Sequence, residues 1–136
     1  MPCSYVIDKE RRLVISTAWD RITFDEVKSH QDQLKADPSF DPNFNQLVDA
    51  SAVTGVDATT DDVKRIATRR IFSSASRRAF VATNPDVFGM GRLFGAHLGM
   101  GRVPQQVQVF YDLASALKWL GLDKDPRGQL PAKNCS

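Results

Sequence analysis

A chain of 136 residues, 42% hydrophobic and 25% charged, is sized and composed for one globular domain around one core. A net charge of +2 gives no global pull toward nucleic acid, the two cysteines form no CxxC or Cys/His ligand spacing, and no run approaches the roughly 20 apolar residues that span a bilayer. Nothing after Met1 has the form of a signal peptide, so the expectation is a cytoplasmic protein with free thiols, no metal and no cofactor.

Two β-rich runs open the chain, 5–8 (YVID) and 12–18 (RLVISTA), with Lys9, Glu10 and Arg11 between them as a hairpin turn. Thr23 and Glu26 then have the spacing of a capping box, in which each side chain satisfies the other's backbone N–H at a helix start. The first helix carries Phe24, Val27, Leu34 and Ala36 as its apolar stripe and stops before Pro38, because the residue before proline avoids helical backbone. Residues 37–44 (DPSFDPNF) read as a connector and 45–50 (NQLVDA) as a short buried strand. The small-residue stretch 51–60 reads as a loop into a second helix near 60–74, capped by Thr59 or Thr60, with Val63, Ile66, Ala67 and Ile71 inward.

A strand at 78–83 (RAFVAT) follows, and Asn84-Pro85-Asp86 supplies a cap, a proline at the first helical position and an acid in the first turn of a third helix. Residues 105–111 (QQVQVFY) alternate as a last strand, and Asp112 caps a final helix ending at Gly121. The pattern predicts an α/β domain over 1–122: a five-stranded mixed, mostly parallel sheet with an N-terminal antiparallel hairpin strand and four helices, followed by a flexible tail, 123–136.

Charge is unevenly placed. Residues 61–102 hold eight basic side chains against three acidic ones, with Arg65, Arg69 and Arg70 as a basic patch that is either a solvated helix face or a dock for an acidic partner. The third helix contains FGMGRLFGAHLGMGR (88–102). Its glycines are spaced GxGxxxG and follow a helix start already made by Pro85, which is not the dinucleotide fingerprint, and no GK[ST] occurs. Gly91, Gly95 and Gly99 recur every four residues and share one helix face. A glycine inside a helix costs roughly 0.5–1 kcal/mol relative to alanine, so close approach of a sheet, a second subunit or a bound apolar molecule should offset it. Phe88, Met90, Phe94 and Leu98 flank the row and make it the candidate ligand or interface surface.

His30 reads as a solvated neighbour of Glu26, and His97 lies among the glycines with no nucleophile motif near it. Trp19 and Trp119 read as packing residues, and no aromatic-basic surface for nucleic acid is present.

This layout over about residues 4–121, with LVDAS, SRRAFVAT, FGMGRLFG and the terminal VQVFYDLASALKWL, resembles the SpoIIAA-like family, which is STAS-related and also similar to the lipid-binding CRAL-TRIO (Sec14-type) domains. The resemblance implies a non-catalytic binding and regulatory domain. STAS proteins proper are anti-sigma-factor antagonists switched by phosphorylation of a serine in Asp-Ser-Ser-Gly; here the stretch is Asp57-Ala58-Thr59-Thr60, with Ala58 at the serine position and Thr59 as the neighbouring candidate acceptor. The expected partners are a second copy of the chain in a homodimer or other homo-oligomer, or a regulatory protein. The alternatives are an apolar small molecule or lipid, or an enzyme that uses His97.

Overall fold

In the computed structural model, which describes residues 3–100, 103–127 and 132–135, the opening hairpin pairs β1 (Cys3–Asp8) antiparallel with β2 (Leu13–Thr23). Asp8 closes its turn by accepting from the Arg11 backbone N–H at 3.1 Å and from the Arg11 guanidinium at 2.6 Å. Thr23 ends β2 and starts α1 (Phe24–Ala36) through the expected capping box: its Oγ1 accepts from the Glu26 N–H at 3.2 Å, while Glu26 Oε1 accepts from the Thr23 N–H at 2.9 Å. There follow β3 (Asn45–Asp57), α2 (Thr60–Thr68), β4 (Arg77–Val81), α3 (Pro85–Leu98), β5 (Gln106–Phe110), α4 (Leu113–Trp119) and β6 (Lys133–Asn134). Asn84 and Asp112 cap α3 and α4 as their sequence positions require, and Gly121 takes φ +76° just past α4, the left-handed turn that glycine tolerates.

The sheet order is β5-β4-β3-β2-β1-β6. β2, β3, β4 and β5 pair in parallel, and β1 is antiparallel to both its neighbours. The sheet therefore has six strands where five are expected, the sixth being a short strand from the tail. The stretch 51–57 is strand and not loop: β2 runs on to Thr23, and β3 follows it through the pairs Trp19–Ala52, Ile22–Val56 and Thr23–Asp57, with two register shifts on the way. α2 ends at Thr68, six residues early, and Arg70 turns the chain away with φ +43°.

The described part of the tail is held down. Lys133 Nζ donates to Asp37 Oδ2 at 2.7 Å, where Tyr5 Oη also donates at 2.9 Å, and Arg127 pairs with Asp49. Burial and the neighbouring Asp37 carboxylate push the Tyr5 hydroxyl up to about 12. Cys3 and Cys135, expected as free thiols, are instead joined in a disulfide with Cα atoms 5.3 Å apart, a bond more usual in oxidising compartments than in the cytosol. Among the described residues no helix is long and apolar enough to cross a membrane.

Strand alternation assigns the two faces. Leu13 and Ile15 of β2, Leu47 of β3, and Ala79 and Val81 of β4 pack beneath Ala116 and Leu120 of α4. The intervening residues of the same strands point to the other face, where α1, α2 and α3 form a layer; Val14 meets Leu34 of α1, and Phe80 joins Val63, Ile66 and Phe94 of α2 and α3.

Candidate ligand-binding cavity

The three-helix layer does not close completely on the sheet. A cavity of about 200 Å³ lies between them, floored by the central strands and walled by α1, α2 and α3. Val48 and Ala50 show the gap most directly: they sit on central strand β3, under helices, yet are only half-buried. Val53 and Val56 reach the same space from the extended half of β3, and Val87, Met90 and Phe94 from α3.

Into this apolar space the sheet places a chain of polar groups. Gln46 and Arg78 are direct partners across β3 and β4, so both side chains stand on the cavity face, and Arg78 Nε donates to Gln46 Oε1 at 3.0 Å. Gln46 Nε2 donates to Ser16 Oγ at 3.1 Å, and Ser16 Oγ lies 3.0 Å from His30 Nε2 on α1. His30 Nδ1 in turn lies 3.4 Å from Cys135 Sγ. His30 is thus an inward residue at the end of a hydrogen-bonded chain, not a solvated partner of Glu26. Burial, and then the positive charge of Arg78, pull it down to about 4, so at neutral pH it is uncharged.

Arg78 is only 5% exposed. The rings of Phe72, Phe94 and Phe80 surround its guanidinium, with centroids 4.4, 5.2 and 5.8 Å from Cζ. No acidic side chain among the described residues is bonded to it, and its two Nη atoms have no hydrogen-bond partner there. Neither Nη is sealed in protein, since Gln105 Oε1 is the sealed, unbonded side-chain atom among the described residues. Burial pulls the pKa of Arg78 down to about 9, still above neutrality, so the cavity holds a cation at pH 7.

The residues singled out on α3 divide between this cavity and the helix's own sheet. Met90, Gly91 and Phe94 line the cavity, and Leu98 is core. Gly91 and Gly95 also press on β5: a Cβ at Gly91 would lie 3.2 Å from Val109 Cγ2, and one at Gly95 would lie 3.3 Å from Val107 Cγ1. The body that the glycine row admits is therefore the protein's own edge strand. Gly99 caps the helix end, donating its N–H to Gly95 at 2.9 Å, and Phe88 stacks on Tyr111 with ring centroids 3.9 Å apart. Gly101 and Arg102, the rest of the glycine segment, lie outside the described residues.

Each arginine of the basic patch bonds to groups of the chain itself, although Arg65 stays largely exposed. Arg65 pairs with Asp62 and lies over the Phe24 ring, Arg69 ties α2 to Asp32, Gln31 and the Lys28 carbonyl of α1, and Arg70 donates to the Val103 and Met100 carbonyls. Thr59 caps α2: its Oγ1 accepts from the Asp62 N–H at 3.1 Å, and Asp62 Oδ2 accepts from the Thr59 N–H at 2.9 Å. His97 sits on the last turn of α3 and is not part of the cavity lining.

The fold also makes a cluster with no sequence signature: donor atoms of Cys3, His30 and Cys135 lie within 4.8 Å of one another. With the two sulfurs bonded to each other, the cluster offers no thiolate to a metal ion.

No protein-family model matches the chain, and no curated protein is significantly similar to it. Among solved structures it is similar to the crystal structure of an uncharacterised DUF3478-family protein with a SpoIIAA-like fold from Shewanella loihica PV-4. The TM-score is 0.58 at 16% identity, over 87% of this chain and 93% of that one. The chain thus has a SpoIIAA-like fold, with its mixed sheet and four helices.

Proposed function

We propose that this domain acts by binding rather than by catalysis, and that it binds a small apolar molecule in the cavity between the sheet and α1, α2 and α3. The carrying observation is the cavity itself, about 200 Å³ and lined by Val48, Ala50, Val53, Met90 and Phe94. An engineered apolar cavity of about 150 Å³ holds benzene, so this space suits a body of that size or slightly larger. The glycine row, which motivated a homo-oligomeric contact, lends its support to packing against β5.

The test uses ligand-detected NMR with toluene, indole and 2-phenylethanol on the full chain and on Ala50→Phe, which places a ring in the cavity. Saturation transfer to at least one compound, lost in Ala50→Phe while circular dichroism is unchanged, is the expected result. No transfer to any of them, or equal transfer in the filled variant, refutes the reading.

A further inference from the structure

We infer that the molecule this cavity takes is an organic anion, a carboxylate on an apolar body, with its oxygens on the two Nη atoms of Arg78. This rests on the cavity being a binding site and adds the chemical class of its occupant.

A guanidinium carries five N–H donors in a planar fork, and Arg78 gives the protein one of them, from Nε to Gln46 Oε1. The Nη edge, which matches the two oxygens of a carboxylate, is left without a partner among the described residues. Buried charges are ordinarily paired; Arg78 is buried, charged and unpaired, and it lines the cavity. The rings of Phe72, Phe80 and Phe94 hold the guanidinium in place, and Gln46 fixes its Nε side through the β3–β4 register, which leaves the Nη side for an occupant.

The other charged groups at the cavity are already engaged. Glu26 is held in the α1 capping box, and Asp62 is held by the Thr59 N–H and by Arg65. His30 is neutral at pH 7 and is turned to Ser16. Besides Ser16, Gln46 and the polar side chains of Thr17 and Gln31, the remaining walls are mostly aliphatic and aromatic, which gives a bare inorganic anion little to gain and an apolar acid its second contact.

Isothermal titration calorimetry at pH 7 on the full chain tests this with two matched pairs, phenylacetate against 2-phenylethanol and hexanoate against 1-hexanol, with acetate and inorganic phosphate as bare anions. The acids should bind about tenfold or more tighter than their alcohols, as charge-assisted hydrogen bonds require, and tighter than acetate or phosphate. In Arg78→Met the acids should fall to the level of the alcohols, whose affinity should hold. Alcohols that bind the unaltered protein as tightly as the acids overturn the anion assignment and leave the cavity reading standing. Acetate or phosphate binding as tightly as phenylacetate overturns the apolar half of the assignment. No binding by any member of either pair overturns both readings. The acid–alcohol comparison needs no variant, so it decides the question even if Arg78→Met folds poorly.

Discussion

Replacing Arg78 by methionine should make the free protein more stable, because a cation without a counterion is removed from its interior. The depression of its pKa to about 9, well below the ordinary guanidinium value, corresponds to on the order of 5 kcal/mol by which burial disfavours the charged form. The group is protonated below pH 9 in both folded and unfolded chains, so this cost is fully present at pH 7. Against it stand the lost bond to Gln46, whose Oε1 is left without its donor, at roughly 1–3 kcal/mol, and ring contacts worth roughly 0.5–2 kcal/mol. Methionine keeps much of the apolar volume, and the net gain should lie between about 0 and 3.5 kcal/mol. With an unfolding entropy of about 2.1 cal/mol/K per residue, that raises Tm by up to about 12 °C for 136 residues. Urea unfolding at pH 7 and differential scanning calorimetry read both quantities. Above pH 9 the folded wild type releases the Arg78 proton before the unfolded chain does, so its stability rises with pH and the variant's advantage should shrink. A loss of about 3 kcal/mol or more in Arg78→Met would refute the reasoning, since that is the signature of breaking a buried ion pair.

Other outcomes follow from the same geometry. On α3, Gly89→Ala meets nothing within 4 Å and should gain about 0.5–1 kcal/mol in urea unfolding. Gly91→Ala and Gly95→Ala, pressed on Val109 and Val107, should not, and equal gains at all three sites would contradict the close approach. His30 stays neutral in the folded protein down to about pH 4, while the unfolded chain takes its proton near 6.5. Stability should therefore be full above pH 6.5 and fall by about 3 kcal/mol between 6.5 and 4, a slope absent in His30→Gln. Reducing the Cys3–Cys135 bond, which spans 132 residues, should cost up to about 5 kcal/mol by loop-closure entropy. Amide exchange at Ser4 and Tyr5, opposite β6, should rise at the same time; an unchanged Tm on reduction would refute the staple.

The elements that could be read from the sequence are those whose signals are local. Thr23 with Glu26, Asn84 with Pro85, Asp112 and Gly121 each do their work within a few residues, and each acts where expected. The second half of β3 is hidden because Ala52 and Gly55 carry weak strand preference; its conformation is imposed by pairing with β2, a contact distant in sequence. The same holds for Cys135 and Lys133, whose partners Cys3 and Asp37 lie about a hundred residues away or more. Arg78 enters the sequence reading only as one of the eight basic residues of 61–102, because a sequence displays charge but not facing. Alternation in RRAFV does put Arg78 and Phe80 on one side of a strand, but whether helices cover that side depends on packing across the sheet.

The partnership of Gln46 with Arg78 across β3 and β4 has a consequence for how the chain threads itself. Sliding β4 by a single residue would swing Arg78 to the opposite side of the sheet, among Leu13, Leu47 and Ala116, where there is neither amide nor open space to receive it. Misaligned versions of the sheet thus carry a trapped ion in solid hydrocarbon and are pushed far above the correct alignment in energy. The residue that weakens the finished domain also rejects its wrongly woven competitors.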